Sequence, residues 1–279
     1  MEVEGLGPAV PYRTFLDEVR NAGYTGTELG PYGYLPTDAK LLSSELKERG
    51  LSLISAFVPL ALKQKGMDMG PLRQVAQLLA SMGASHVVLA DQMWPERDRV
   101  SGRVDTAGVS LTRDDWQTVA TNVREGMQAA EGFGLRPVFH HHAGTYIETP
   151  AEVAQLLDLT GIGLCLDTGH YAYGGGDPVE AVRRLGKGVE YLHFKDIDST
   201  RLKDACRREL GFLDGVRAGV FTPLGSGSVS FPGMLAELKR IGYNGWVIVE
   251  QDVDTSNPAA PSPFESARTS REYLRGLGI

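Results

Sequence analysis

Short apolar runs alternate with longer amphipathic stretches along almost the whole chain. The apolar runs have the length of β-strands, and several are nearly continuous, as in strands that are covered on both faces. They predict strands at Thr25–Leu29, Ser52–Val58, His86–Ala90, Pro137–His142, Gly163–Asp167, Glu190–Phe194 and Trp246–Glu250. This alternation is typical of βαβ units that build a parallel sheet.

Helices are predicted between these strands from apolar periodicity and from capping signals. Thr37 is the expected N-cap of a helix over Asp38–Arg49, and Gly50 is its expected stop. Thr112, Thr149 and Asp177 each stand three positions before an acidic residue, which is the spacing of a capping box. Further helices are predicted over Tyr12–Asn21, Phe231–Ile241 and Phe264–Leu277.

The strand count predicts an α/β fold, a single (β/α)8 TIM barrel over residues 1–279, with one strand unaccounted for. Seven strands are evident, and the missing one should precede Tyr12. The segment there is short and rich in Gly and Pro. We therefore expect strand one to be missing or irregular, unless the recorded start lies inside a longer gene product.

Composition excludes several classes of protein. Lys plus Arg number 28 and Asp plus Glu number 35, which gives a net charge of −7, and no long basic run favours nucleic acid. No apolar run reaches the roughly 18 residues of a membrane span, and the acidic N-terminus lacks the apolar core of a signal peptide. The two cysteines, Cys165 and Cys206, are expected as free thiols. We expect a soluble, cytoplasmic protein.

Candidate chemistry gathers where the predicted strands end. Reactive residues of such barrels lie at the C-terminal ends of strands. Four successive strand ends carry an imidazole or a carboxylate, namely His140, Asp167, His193 and Glu250. The first two intervals, 27 and 26 residues, are each about one βα unit, and the last interval of 57 leaves a loop of roughly 30 residues.

A strand-end carboxylate taken alone is more often a helix cap or an ion-pair partner than a ligand. Four donors at the same end of neighbouring strands instead favour one divalent metal ion. Mixed nitrogen and oxygen donors suit Mn²⁺, Co²⁺, Fe²⁺ or Zn²⁺ better than Ca²⁺. Because side chains alternate along a strand, His142 lies on the face of His140 and could replace it as a ligand. His141 and His86 are expected to be structural.

Several segments resemble the xylose-isomerase-like TIM-barrel superfamily, and within it the inosose dehydratase branch. The matching segments are Ala22–Gly30, His140–Thr145, Leu166–His170, Tyr191–Asp196 and Phe212–Gly227. The superfamily usually binds its metal through Glu, Asp, His or Gln, and Glu. Asp167, His193 and Glu250 match in type, whereas His140 stands where most members have Glu. The resemblance implies Mn²⁺ or Co²⁺, with Zn²⁺, Fe²⁺ or Mg²⁺ as alternatives.

The resemblance implies dehydration of a keto-polyol such as 2-keto-myo-inositol through a metal-stabilised enediolate. His170 or His142 is the expected base, and Glu28 or Lys195 the expected acid or substrate contact. Trp94, Tyr32 and Tyr34 could form an apolar wall for the substrate ring. Members of this branch have a first strand, often with a Trp-Gly pair, which this chain does not match.

Three rival functions stay open at this stage. A ketose epimerase or sugar isomerase would share the scaffold and metal, but symmetric epimerisation uses two carboxylates and His140 removes one. A DNA-repair enzyme of the endonuclease IV type would need about three metals and a basic face. A non-catalytic binding module would keep the metal for structure alone. The expected partner is a small polyol or sugar rather than nucleic acid or membrane, and a homo-oligomer is left open.

Overall fold

Strands and helices alternate through residues 10–257 and 261–279, the parts of the chain that this computed structural model describes. The strands are β1 Gly26–Thr27, β2 Ser52–Leu53, β3 Phe57–Leu60, β4 His86–Asp91, β5 Arg136–His140, β6 Gly163–Asp167, β7 Val189–Phe194, β8 Asp196–Ile197, β9 Phe221–Thr222 and β10 Val247–Val249. The helices are α1 Tyr12–Asn21, α2 Ala39–Arg49, α3 Gly70–Ser81, α4 Pro95–Asp98, α5 Val104–Ala107, α6 Arg113–Glu131, α7 Pro150–Thr160, α8 Thr168–Tyr173, α9 Pro178–Leu185, α10 Ser199–Arg207, α11 Phe212–Arg217, α12 Phe231–Ile241 and α13 Pro263–Gly276.

The barrel wall is a parallel sheet in the order β10-β7-β6-β5-β4-β3, continued by the parallel pair β1-β2. The predicted strand Ser52–Val58 is divided, because its first part pairs with β1 and its second part with β4. Backbone hydrogen bonds from Leu29 to Ser55 and from Val88 to Ala56 bridge the break. The arrangement agrees with the barrel prediction.

One predicted feature cannot be placed. The missing first strand was expected before Tyr12, and residues 1–9 lie outside the described part of the chain. Within that part, β1 pairs only with β2 and β10 pairs only with β7. These are the two strands between which a first strand of a closed barrel would lie.

Strand alternation separates two apolar layers. One face packs beneath the helices in the main core, while the other fills the barrel interior with Ile54, Val88, Val138, Cys165 and Tyr191. Val88 pairs with Val138 in register, and Cys165 pairs with Tyr191. Because side chains alternate along a strand, residues two positions further on emerge into the same interior, one layer higher. This layer is where the polar site begins.

The capping predictions were mostly correct. Thr112 and Thr149 each form a reciprocal capping box, with Asp115 and Glu152 respectively. The prediction for Thr37 was wrong, because the Asp38 carboxylate accepts the Leu41 N–H at 2.8 Å and caps α2 instead.

The prediction of a loop of roughly 30 residues between His193 and Glu250 was also wrong. Residues 198–222, called the insertion below, contain α10, α11 and β9, and β9 pairs antiparallel with β8. The insertion has its own apolar cluster, which includes Phe212, Val216, Val220 and Phe221. Ala143 and Tyr173 of the barrel belong to the same cluster. The insertion is therefore a small packed cap beside the strand ends.

Asp196 fastens the loop that follows the insertion. Its buried carboxylate accepts backbone N–H groups of Gly225 and Gly227 on one oxygen and of Ile197 and Val229 on the other, all at 2.9–3.0 Å. A Cβ on Gly227 would lie 2.3 Å from Asp196 Oδ1, so this close approach requires glycine.

Candidate functional site

Four strands bring four donors to one point above the apolar layer of the barrel. His140 and Asp167 are the last residues of β5 and β6, His193 lies in β7, and Glu250 directly follows β10. Asp167 pairs in register with His193, and Ile248 of β10 does so too. One ligand atom from each of the four side chains lies within 4.8 Å of the others. These four residues are called the first cluster below.

Several atoms of the first cluster are buried without a partner. Among the described residues, no hydrogen bond reaches Asp167 Oδ2, His140 Nδ1 or His193 Nδ1. His140 Nε2 stands 3.5 Å from Asp167 Oδ2, and His193 Nδ1 stands 3.4 Å from Glu250 Oε2. Unpartnered buried polar atoms are costly, and a cation between them would satisfy both lone pairs and charge. The donor set therefore fits one divalent metal ion.

Neighbouring positive charge keeps the carboxylates of the first cluster ionised. Burial alone would raise the pKa of Asp167, but Lys195 and His140 hold it well below its usual range. Burial likewise opposes the charged form of Glu250, yet His193 and Lys195 hold that pKa low. Two anionic oxygens and two imidazoles are donors suited to Mn²⁺, Co²⁺, Fe²⁺ or Zn²⁺.

Glu28 lies behind His193 rather than across the rim. Its Oε1 accepts the Ser55 and Tyr191 hydroxyls at 2.6 and 2.9 Å and stands 3.1 Å from His193 Nε2. A carboxylate on one ring nitrogen leaves the other nitrogen, Nδ1, for the first cluster. The geometry thus sets Glu28 against a candidate ligand, where the sequence analysis had expected an acid or a substrate contact.

A second cluster of donors lies beside the first. One atom each of His142, His170 and Asp252 lies within 4.8 Å of the others, and the two rings are 3.8 Å apart. His142 therefore groups with His170, while His140 groups with Asp167 and Glu250. Burial, followed by the charge of neighbouring groups, lowers the pKa of His142 to about 4 and that of His170 well below its usual value.

Asp167 joins the two clusters. Its Oδ1 accepts the His170 N–H at 2.7 Å and so caps α8, which starts at the next residue. Its Oδ2 faces the first cluster. The helix extends to Tyr173. The helix forms here because Asp is a strong N-cap residue.

Lys195 stands between the clusters. Its Nζ lies 2.9 Å from His170 Nε2 and 3.2 Å from Asp252 Oδ2 in the second cluster. It also lies 3.2 Å from Glu250 Oε2 and 3.5 Å from Asp167 Oδ2 in the first. Burial opposes the charge, but these three carboxylates raise the pKa of Lys195, so the ammonium is kept.

Aromatic rings cover the second cluster. Phe212 lies 5.1 Å from the His142 ring and 5.7 Å from the His170 ring, and Phe221 lies 5.5 Å from His170. Both phenylalanines belong to the insertion, and sequence reasoning missed them. Phe57 contacts His140 at 5.4 Å from the barrel side. These rings exclude water from the imidazoles and form an apolar wall.

The three aromatic residues expected to form an apolar wall for the substrate ring, Trp94, Tyr32 and Tyr34, have different surroundings. Tyr34 packs on Phe15 of α1 and donates its hydroxyl to the Val10 carbonyl at 2.7 Å, and Tyr32 is exposed. Trp94 donates its indole N–H to Asp91 at 3.0 Å. Tyr34 therefore packs within the fold, against α1.

Asp91 is a further strand-end carboxylate that sequence reasoning missed. Its Oδ2 accepts the Trp94 indole and the Tyr146 N–H, each at 3.0 Å, while Oδ1 is buried without a partner among the described residues. Burial raises the pKa of Asp91 to about 6, against the opposing effect of the hydrogen bonds that its carboxylate accepts. Asp91 thus differs from the carboxylates of the first cluster.

The remaining histidines have packing surroundings. His141 Nε2 accepts the Asp167 backbone N–H at 3.3 Å, and its ring meets Tyr171 edge-on. His86 contacts the Ser85 hydroxyl at 2.8 Å at the opposite end of β4. Both positions agree with the expected structural role. Cys165 and Cys206 are free thiols, as expected.

Comparison with known proteins bears out the family resemblance. A family model described as "Xylose isomerase-like TIM barrel" matches residues 16–277. Solved structures share the fold at low sequence identity. The IOLI protein with a bound zinc atom has a TM-score of 0.73 at 15% identity, covering 96% of this chain and 93% of that chain. A 3-keto-D-glucoside 4-epimerase from E. coli, YcjR, has a TM-score of 0.71 at 16% identity, covering 98% and 97%.

Relatives with higher sequence identity match nearly the whole chain. The rhizopine catabolism protein MocC of Rhizobium meliloti is 35% identical, covering 98% of this chain and 83% of its own length. The inosose dehydratase of Lacticaseibacillus casei is 32% identical, covering 96% and 90%. That of Geobacillus kaustophilus is 30% identical, covering 99% and 90%. None of the helices in the described residues is long and apolar enough to cross a bilayer.

Proposed function

Because the chain belongs to the xylose isomerase-like TIM-barrel family, we propose that it is a metal-dependent hydro-lyase. Its substrate is a small keto-polyol such as 2-keto-myo-inositol, from which it removes water. The observation that carries the proposal is the similarity to inosose dehydratases over nearly the whole chain. The two donor clusters supply the groups that this reaction needs.

The first cluster is the proposed metal centre, with His140, Asp167, His193 and Glu250 as ligands. The unpartnered atoms described above support this assignment. His142 is the weaker candidate for the fourth ligand, since its nearest donor neighbours are His170 and Asp252. Mn²⁺ or Co²⁺ is the proposed ion. When bound, a divalent ion supplies Lewis-acid polarisation of the substrate ketone.

Glu28 is proposed as a positioning residue for the metal centre. Three polar hydrogens converge on its Oε1, which fixes both the carboxylate and the His193 ring. Partners of this kind set which nitrogen a metal-binding imidazole presents. Glu28 therefore acts through His193 and does not touch the substrate.

Proton transfer is assigned to the second cluster. Dehydration beside a ketone removes an α-proton and breaks the bond from the β-carbon to its hydroxyl, which leaves as water. His170 or His142 takes the α-proton, since burial keeps both imidazoles neutral and able to accept one. Lys195, whose ammonium is kept by three carboxylates, holds substrate oxygen or protonates the departing hydroxyl.

The first position of the metal centre favours dehydration over epimerisation. Symmetric epimerisation exchanges protons through two carboxylates on opposite faces of the substrate. Here an imidazole, His140, occupies one of those positions, and the neutral imidazoles of His142 and His170 lie on one side of the centre. One proton-accepting side suits abstraction followed by loss of a hydroxyl.

Mass spectrometry of the reaction products tests the proposal. The protein would be purified with added Mn²⁺ and incubated with a panel of inososes and ketohexoses. Loss of one water from an inosose, with growth of diketone absorbance, is expected. Conversion of a ketohexose to an isomer of unchanged mass, with no inosose consumed, would replace the proposed function by epimerisation. The matched control is the Asp167→Asn variant, purified in the same way.

A further inference from the structure

We propose that the Lys195 ammonium occupies a second cation position in this molecule, and so limits the site to one divalent ion. The position is built by the second cluster, which has the donors of a metal site in its own right. The inference rests on the proposed function only for the count of ions in the first cluster.

The ring orientation of His142 leaves a lone pair free for a cation. Its Nδ1 lies 2.7 Å from the Ala143 carbonyl oxygen, an acceptor, so Nδ1 carries the proton and donates. Nε2 is therefore the lone-pair nitrogen, and it is buried with no hydrogen-bond partner among the described residues. An imidazole held in this way presents a metal-binding atom.

The other two donors complete the set. His170 Nε2 stands 3.6 Å from Asp252 Oδ2, and both lie within 4.8 Å of the His142 donor atom. Two imidazoles and one carboxylate are a ligand combination that Zn²⁺ and Co²⁺ accept, with a further position left for water. The donor types of this cluster are therefore those of a protein metal site.

The ammonium of Lys195 already lies in that position. Its Nζ is 2.9 Å from His170 Nε2 and 3.2 Å from Asp252 Oδ2. A divalent ion bound to the same two atoms at about 2.1 Å would stand against the ammonium, and the two positive charges would repel. The chain thus places the single positive charge of Lys195 where the donors alone would accept a divalent ion.

Lys195 is also held so that it does not withdraw. Its backbone N–H donates to Thr168 Oγ1 at 2.9 Å, and that hydroxyl donates to the Lys195 carbonyl at 2.7 Å. The stem passes directly over Gly169, where an added Cβ would lie 2.7 Å from Lys195 Cγ. With its side chain fully buried, Lys195 has little room for another rotamer.

Counting bound Co²⁺ tests the inference. Wild-type protein and variants would be freed of metal, brought to equilibrium with Co²⁺ by dialysis, and analysed for cobalt per chain. Wild type is expected to hold one equivalent. Lys195→Ala is expected to hold two, since the position is vacated, with added visible absorption from a second nitrogen-ligated Co²⁺. Lys195→Gln, which shortens the side chain but keeps its packing on Gly169, is expected to gain the same equivalent.

Two control variants make the count specific. Lys195→Arg keeps a cation and should hold the wild-type number of ions. Lys195→Ala combined with His142→Ala should return to the wild-type number, because one of three donors is gone. Uptake of a second equivalent by wild type, lost in His142→Ala, would overturn the inference. So would folded Lys195→Ala and Lys195→Gln proteins, by circular dichroism, with no gain over wild type. If wild type holds none, the proposed metal centre fails, and the gain on removing Lys195 still decides the present question.

Discussion

The two clusters have similar donor atoms but differ in how the chain's own cation, Lys195, contacts them. The first presents two imidazoles and two carboxylates, and among the described residues Asp167 Oδ2, His140 Nδ1 and His193 Nδ1 receive no hydrogen bond. The second presents two imidazoles and one carboxylate, and the Lys195 ammonium already lies 2.9 Å from His170 Nε2 and 3.2 Å from Asp252 Oδ2. Donor composition alone therefore does not define a metal site. What distinguishes the two is which donors the Lys195 ammonium reaches: in the second cluster it lies against an imidazole and a carboxylate, whereas its described contacts in the first are with the carboxylates.

The largest effect is expected from Asp167→Asn, which removes charge from the first cluster. Asn is also a strong N-cap residue, so α8 should remain and the metal-free variant should melt near the wild-type temperature. We expect bound Mn²⁺ to be lost and turnover to fall by more than about 10³-fold, or roughly 4 kcal/mol. Metal analysis and turnover measure this. Asp177→Asn, at the cap of α9, is the matched control. Full activity in Asp167→Asn would contradict the assignment.

His170→Ala tests whether metal binding belongs to the first cluster and proton transfer to the second. Because His170 belongs to the second cluster, turnover should fall by about 10²- to 10³-fold while the Mn²⁺ content is unchanged. Steady-state kinetics and metal analysis provide both readings. His86→Ala, at the opposite end of β4, is the control with an imidazole removed elsewhere. The assignment of the base is wrong if alanine at both His170 and His142 leaves turnover intact.

Asp91→Asn tests what a strand-end carboxylate does without a cation. Burial raises the pKa of Asp91 from 3.8 to about 6. A raised folded-state pKa gives stability that is present below the unfolded value and lost as pH rises through about 6. This difference between the unfolded and folded pKa of Asp91 corresponds to about 3 kcal/mol of folding stability. Asn keeps an acceptor oxygen for Trp94 and Tyr146 but does not titrate, so it escapes this loss.

Thermal unfolding at several pH values measures the effect of Asp91. Between about pH 4 and about pH 7, the melting temperature of Asp91→Asn should rise by several degrees relative to wild type. Asp115→Asn, at an exposed helix cap, should show no such rise. A constant difference between Asp91→Asn and wild type over this range would mean that Asp91 has its own counter-charge.

Glu28→Gln is expected to act on the first cluster at a distance. Gln weakens the hydrogen bond to His193 Nε2, so Mn²⁺ affinity should fall by about tenfold or more. Equilibrium dialysis measures the affinity directly, without reference to turnover. Ser55→Ala removes one of the donors to Glu28 and should have a smaller effect. Unchanged affinity together with a raised KM would instead indicate that Glu28 contacts the substrate.

The strand ends were predictable because two simple periodicities act together. Spacing of one βα unit gives neighbouring strands, and alternation along a strand gives a common face, so His140, Asp167 and His193 could be grouped from sequence. Asp252 was missed although it stands two positions after Glu250. The same alternation that grouped His142 with His140 could have suggested it. Which cluster His142 joins depends on distances that no periodicity provides.

The insertion was not predictable in the same way. Its helices α10 and α11 have nine and six residues, and α10 carries many charges, so the apolar pattern is weak. Phe212 and Phe221 are buried because the insertion folds back onto α8 and onto the loop that contains His142. Glu28 was correctly noticed as a strand-end carboxylate. Its partners, Ser55 and Tyr191, are 27 and 163 positions away, and only the folded barrel brings them to it.

The cap that Asp167 places on α8 has a consequence for how this chemistry could be transplanted. Within four consecutive residues, Asp167–His170, the chain ends a strand, starts a helix, supplies one donor to the first cluster and fixes the backbone of a donor in the second. The segment is thus a compact module that links two clusters through a single carboxylate. A barrel that already carries the other donors, with a lysine directly after the next strand as Lys195 follows β7 here, could receive the link between the clusters by grafting these four positions.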